Sequence, residues 1–398
     1  HNYPHCWRTD TPLIYKAVSS WYVEVSKFKD RMVELNREIN WIPEHVKEGQ
    51  FGKWLENARD WSITRNRFWG TPVPIWKVVN KKTGEEEAPE FYQNCTIKEF
   101  LHRISNRRHL AEVHVAGKLK DVVEFWNVKI TMEGGTSRFF PKLSDLENSD
   151  TPKEIPFNIT CKRNYVFGSV EELQEFFGKE VKDLHRPFID DLVIQDPYNS
   201  DYEIRRVTDV LDCWFESGSM PFASVHYPFE NKEWFEKHNP ADFIVEYVAQ
   251  TRGWFYTLVV LSTAIFDRIP FKTCLCHGVI LDENGQKLSK RLRNYPDPLE
   301  VFETLGSDAM RFFLLSSSVV LGGDLNISKD GAEIREVVRL VIKPIWNAYN
   351  FFAMYANADG IKAEHSISSK DTMDVYILSK LSFFTSDLEL EFNNYNFS

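Results

Sequence analysis

The sequence has no apolar run long enough for a membrane, no cysteine framework, no excess of positive charge and none of the common glycine-rich phosphate loops. Each absence removes a class of protein. The longest nearly unbroken apolar stretch, Trp254–Phe266, falls short of the roughly 20 residues that a bilayer-spanning helix requires, so no membrane is expected as a partner. His1–Asp10 lacks the basic n-region and the apolar h-region of a secretory signal. Six cysteines are scattered without regular spacing, which excludes a disulfide scaffold and predicts reduced thiols in a cytoplasmic protein. Lys and Arg number 48 against 58 Asp and Glu, a net charge of −10. That excludes attachment to nucleic acid through a general basic coat, though not through a local patch. No Walker A loop or GxGxxG turn occurs, nor any internal repeat or low-complexity tract. Position 1 is His rather than Met, and the chain reads as a fragment.

What is present is ample core: 43% hydrophobic, 14% aromatic and 27% charged residues, the balance of a soluble globular protein. The 398 residues allow two to four domains at about 100–200 residues each. Phe28, Met32 and Leu35 recur at helical spacing and predict a helix over Ser26–Arg37. A short strand at Asn40–Ile42 and a helix near Gln50–Ala58 follow. The polar run from Asn80 to Glu87 marks a composition shift. The irregular stretch from there to about Asn158, with Gly134 and Gly135 inside it, reads as an inserted module. Ser169 and Glu172 form a capping box, and Gly178 is placed to end that helix.

From Ala241 the order becomes strand, helix, strand. Asp242–Tyr247 is expected as a buried strand, Trp254–Phe266 as a helix and Thr273–Leu281 as a second strand, which predicts a parallel sheet with ligands at its carboxyl ends. Asp297, Pro298 and Glu300 start a helix that Gly306 closes. Ile334, Val338, Val341, Ile345, Tyr349 and Phe352 form one stripe, expected to be kinked at Pro344 and to open an all-α module.

The chemistry concentrates after the second strand. An Asn284-Gly285 turn leads into Lys287 and Lys290, and with Arg291 and Arg293 four cations fall within seven residues. Such a loop can neutralise charge developing on a leaving pyrophosphate. A solvated basic turn is the other reading. Cys274 and Cys276 with His277 allow either a metal site or buried core thiols. No second ligand pair lies at zinc spacing, so no protein-bound metal is expected. Arg103, Arg107, Arg108 and His109 could touch nucleic acid or form a solvated face.

Lys287-Leu288-Ser289-Lys290-Arg291 resembles the KMSKS loop of class I aminoacyl-tRNA synthetases, with Leu for Met and Arg for the last Ser. Asp60–Pro74 resembles the DWxISRQRxWGxPIP run of the isoleucine, valine and leucine members. Asp212–Gly218 is similar to their DxWFxSG element, Gln250–Phe255 to QxRGWF, and Gly306–Arg311 to GxDAxR. These five motifs stand in the family's order. Tyr3–Arg8 with Thr11-Pro12, and Thr71 after Trp69-Gly70, are similar to the isoleucine branch, where valine members usually have His and leucine members Glu at the position of Thr71.

The resemblance implies an α/β fold: the second half of a Rossmann-like catalytic domain, an inserted α+β connective module, and the start of a helical bundle. On it, residues 1–26 return from an absent editing insert and 27–78 are a catalytic segment. Residues 79–195 are then the connective module, 196–330 the second catalytic half with the loop, and 331–398 the start of the anticodon-binding domain. The implied function is attachment of isoleucine to tRNA(Ile) through an adenylate formed from ATP, with Mg²⁺ carried mainly by the phosphates. The HIGH motif and the editing domain are missing from the sequence, so the chain alone is expected to be inactive.

By resemblance Lys287 and Lys290 are catalytic, Glu246, Gln250, His277, Gly278 and Ser289 bind ATP or the adenylate, and Trp214 and Trp254 form the amino-acid pocket. Arg65 and Arg67 would meet tRNA. From the residues alone, each Trp is more often ordinary core, and His277 could be a satisfied core histidine. The family often has Glu-Gly-x-Asp-Gln where this chain has Glu246-Tyr247-Val248-Ala249-Gln250, which alters the ribose contacts. One methylene in an apolar slot is worth only about 1–3 kcal/mol, a limit for which isoleucine against valine is the standard illustration. The alternatives are a valine or leucine member, or a non-catalytic tRNA- or partner-binding derivative.

Overall fold

The strand–helix–strand order from Ala241 builds a parallel sheet. In the computed structural model, Ala241–Tyr247 pairs in parallel with Phe271–His277, which pairs in parallel with Asn40–Ile42. The structure describes residues 3–6, 9–103, 123–126, 128–131, 137–140, 146, 148–154, 156–362 and 368–397. Gly134, Gly135, Arg107, Arg108 and His109, with Trp7 and Arg8 of the first motif, lie outside them. The chain divides into two units: His1–Val23 with Trp61–Glu216, and Glu24–Asp60 with Ser217–Ser398.

In the second unit, the Trp254–Phe266 helix links the two long strands. It is apolar on nearly every face and accordingly buried along its middle turns. Trp41, on the short strand, packs against Phe51, Phe255 and Phe271 and donates its indole N–H to Asn36 at 2.8 Å. The expected first helix forms over Lys29–Asn36 and buries Met32 and Leu35. The next is regular over Gly52–Glu56, after a wider π turn at Lys47–Phe51.

Two expectations need correction. Ala241–Tyr247 is an edge strand, and Phe243 and Val245 are 40% and 48% exposed, so it is not buried on both faces. The strand expected over Thr273–Leu281 breaks at Gly278 into Phe271–His277 and Ile280–Asp282, the latter pairing in parallel with Leu325–Ile327. The stripe beyond Gly331 buries its first member, Ile334, but leaves Ile345, Tyr349 and Phe352 exposed. Pro344 lacks an N–H and cannot continue the ladder. A π turn at Val338–Ile342 precedes it, with Lys343 N–H donating to the Val338 carbonyl. The helix that follows runs from Lys343 to Ala358.

The first unit is antiparallel. One sheet orders Ile194–Gln195, Tyr202–Arg206, Ile75–Asn80, Arg163–Val166 and Val123–Trp126. A second orders Glu90–Thr96, Pro156–Cys161, Val128–Thr131 and Ser137–Phe140. Part of the stretch read as irregular is thus regular strand. The polar run after Asn80 is a tight hairpin turn: Asn80 Oδ1 accepts from Lys82 and Thr83 N–H, and Gly84 takes φ +70°. Ser169 caps its helix as expected, accepting from Glu172 N–H at 3.2 Å. Glu172 reaches back one residue further than the usual box, to Gly168 N–H at 2.7 Å. Gly178 ends that helix at φ +62°.

Candidate active site

The carboxyl ends of the parallel strands bring Glu246, Tyr247 and His277 together, with Tyr247 opposite His277 in the register. Glu246 Oε2 accepts from Tyr247 N–H at 3.2 Å. His277 Nδ1 lies 2.7 Å from the Gly278 carbonyl oxygen. A carbonyl only accepts, so Nδ1 carries the proton and a neutral ring keeps Nε2 as an acceptor. Immediately beyond, Gly278 donates its N–H to the Val319 carbonyl at 2.8 Å. A Cβ at Gly278 would lie 1.9 Å from the Gly323 carbonyl oxygen, so the close approach of two backbones breaks the strand here.

Gln250 sits in the turn Val248–Arg252 that leads into the long helix. Its Oε1 accepts from Trp254 N–H at 2.9 Å. Only the amide oxygen can do this, which leaves the NH₂ as the donor available to an anion. Trp254 is half-buried, and its indole N–H donates to the Ser217 carbonyl at 3.1 Å. Gly218 permits this closeness, since a Cβ there would meet Leu261 and Thr257 at 3.0 and 3.1 Å. Trp214 lies in the first turn of the Cys213–Ala223 helix, is 40% exposed, and belongs to the first unit.

The basic loop is more ordered than a solvated turn. Asp282, buried at the end of its strand, accepts through Oδ1 from Asn284 and Gln286 N–H and through Oδ2 from the Asn294 amide at 2.8 Å. The Asn294 bond and these backbone N–H groups hold its carboxyl below the usual carboxylate range. Asn294 Oδ1 in turn accepts from Ser289 N–H, and Ser289 Oγ accepts from Arg291 and Leu292 N–H. Both ends of the loop are therefore tied through one Asp–Asn pair. The sequence reading named Ser289 but missed Asp282 and Asn294. An Asp two residues before an Asn-Gly turn was the available signal for the first. Lys287 Nζ lies 5.0 Å from the centre of the Tyr247 ring. Lys290 is exposed.

In the first unit, Arg65 donates to Asp212 at 2.7 Å and to the Ser62 and Thr64 carbonyls, so its guanidinium is engaged within the protein. Arg67 is exposed. Both line a cavity of about 350 Å³ with Trp69, Thr71, His185 and Glu216, and the Trp69 and His185 rings stack at 4.9 Å.

Cys274 and Cys276 are fully buried, and burial pushes the Cys276 thiol up to about 11 and the Cys274 thiol upward too. They project to one face of their strand and His277 to the other, so the three cannot ligate one ion. Among the described residues no group of three or more His, Cys, Asp or Glu is placed to hold a metal, and no helix is long and apolar enough to cross a membrane. A magnesium ion coordinated chiefly by phosphate oxygens requires no such protein cage.

This chain belongs to the class I tRNA synthetase family (I, L, M and V), whose model matches residues 9–135 and 154–328. Over all 398 residues it is 54% identical to the isoleucine–tRNA ligase of Rickettsia peacockii and 52% identical to that of Rickettsia canadensis. It is 55% identical over 383 residues to that of Rickettsia bellii. The chain spans only 29%, 30% and 28% of those proteins, respectively. Among solved structures, a LeuRS–tRNA–LeuAMS ternary complex from Agrobacterium radiobacter aligns with 84% of this chain and 54% of that one, at 11% identity and a TM-score of 0.40.

Proposed function

We propose that this chain is the part of an isoleucine–tRNA ligase that carries the loop side of the adenylate-forming site. One observation carries the reading: Glu246, His277 and Gly278 lie at the carboxyl end of one parallel sheet, with Gln250 in the turn that follows, and Lys287 of the basic loop reaches the Tyr247 ring there. In the first step the isoleucine carboxylate attacks the α-phosphate of ATP and pyrophosphate leaves. The adenylate then acylates the terminal ribose of tRNA(Ile). Positioning and charge neutralisation do most of this work, because no difficult proton transfer is needed in the first step.

Each group has a task suited to its geometry. The Gln250 NH₂ donates to the amino-acid carboxylate, its oxygen being held by the helix N–H. Glu246 accepts from the ammonium or the ribose hydroxyls. The backbone at His277-Gly278 lies against adenine. Ser289 shapes the loop, while Lys287 and Lys290 neutralise the pyrophosphate side, with Mg²⁺ arriving on the phosphates. Trp254 meets the aliphatic side chain, and so, on the sequence resemblance alone, does Trp214. Arg67 is the better placed of the two arginines for tRNA, since Arg65 is tied to Asp212. In this reading residues 79–195 form the connective module and 196–330 the second catalytic half. The reading places the protein in the cytoplasm.

The test is amino-acid-dependent ATP–pyrophosphate exchange by the full-length protein. Isoleucine is expected to drive exchange, with valine slower by about 10- to 200-fold in kcat/KM. Exchange with valine or leucine but not with isoleucine would overturn the assignment.

A further inference from the structure

Tyr247 stands where the family often has glycine, directly after Glu246 at the end of the edge strand. Its ring is half-buried, with its centre 6.2 Å from that of the His277 ring and 5.0 Å from Lys287 Nζ. The backbone beneath that lysine is fixed as well. Lys287 bridges to Leu281 across the turn, and its carbonyl accepts from Asn294 at 3.3 Å. Three residues on, the Lys290 side chain makes no hydrogen bond, ion pair or ring contact among the described residues. Both loop lysines are exposed, and they differ in that one lies over an aromatic face while the other has no such partner among the described residues.

Holding a lysine in one place costs rotamer freedom, so its docked position requires an attraction that offsets this. A tyrosine face supplies one, since the ring quadrupole attracts an ammonium within about 6 Å. A glycine at position 247 would leave the ammonium without that seat. We propose that Tyr247 is a positioning residue that seats Lys287 at the sheet end before substrate binds. The inference rests on the adenylate-forming role given to the loop.

Two measurements on the full-length protein test it. In the first, Tyr247→Phe, Tyr247→Leu, Lys287→Met and the Tyr247→Leu/Lys287→Met double variant are compared in isoleucine-dependent pyrophosphate exchange. Tyr247→Phe keeps the ring and is expected to retain near wild-type kcat. Tyr247→Leu is expected to lower kcat about three- to tenfold with the isoleucine KM unchanged. In the Lys287→Met background the same Tyr247→Leu change is expected to have no further effect. Equal effects in both backgrounds, or a phenylalanine variant as impaired as the leucine one, would overturn the proposal.

The second measurement needs no activity. Lysines are ¹³C-methylated, and the Lys287 signal, assigned by its loss in Lys287→Met, is read by NMR. An upfield ring-current shift that persists in Tyr247→Phe and vanishes in Tyr247→Leu supports the seat. An unshifted wild-type signal overturns it. If wild-type protein gave no exchange with any amino acid, the enzymatic reading would fail, and the NMR result would still decide the contact.

Discussion

Replacing Lys290 with alanine in the full-length protein is expected to slow adenylate formation about 10²- to 10³-fold while leaving isoleucine affinity within about twofold. The magnitude is that of removing one cation from a site where negative charge develops in the transition state. Lys290 is suited to such a role because the loop beneath it is held at both ends by the Asp282–Asn294 bond, while its own side chain is exposed. A group that touches only the departing pyrophosphate contributes nothing to binding of the free amino acid. Single-turnover pyrophosphate release gives the rate, and calorimetric titration gives the isoleucine Kd. Equal losses in rate and affinity would remove the transition-state role. Lys290→Arg keeps the charge and is expected to retain more of the rate than alanine does.

Replacing Gly278 with alanine is expected to destabilise the fold by about 3 kcal/mol or more. An added Cβ would lie 1.9 Å from the Gly323 carbonyl oxygen, 2.6 Å from its carbon and 2.9 Å from the Gly322 carbonyl carbon. None of these atoms is the far end of a flexible side chain. Gly278 and Gly323 are each fixed by a backbone hydrogen bond, to Val319 and Ser318, at 2.8 and 3.0 Å. Relief of the clash therefore requires breaking bonds that hold the strand end. Gly285→Ala is the control. It meets nothing within 4 Å, so its cost is only that of an L-residue at φ +74°, about 1 kcal/mol. Urea unfolding of the two variants gives the comparison, and similar costs at both positions would contradict the close-approach account.

The sequence was most legible where one local rule fixes the structure. The cap at Ser169, the stop at Gly178, the Asp297-Pro298 helix start and the apolar Trp254–Phe266 helix all follow from residues within a few positions of each other. It was least legible where the cause is distant. The break at Gly278 is imposed by Gly323, which no local pattern announces. The Arg163–Val166 strand was hidden because Arg163 and Asn164 are buried beside Tyr165. Arg163 makes a paired contact with Asp196 at 2.8 Å and meets Glu87 at 2.6 Å, so polar letters occupy core positions.

The candidate site shows the same division. Glu246, Gln250, His277 and the two lysines were visible as motif letters. Tyr247 was read as a lost glycine, and only the fold shows it meeting Lys287. The asparagine that ties the loop, Asn294, carries no mark in the sequence because its partner Asp282 lies across the turn.

The most direct test of the account is a crystal structure of the full-length protein bound to a non-hydrolysable isoleucyl-adenylate analogue. The account predicts adenine against His277-Gly278, the ribose or ammonium at Glu246, the Gln250 amide donating to the amino-acid moiety, and the Lys287–Arg291 loop on the phosphate side. An analogue bound without contact to Glu246, Gln250 or His277 would contradict it.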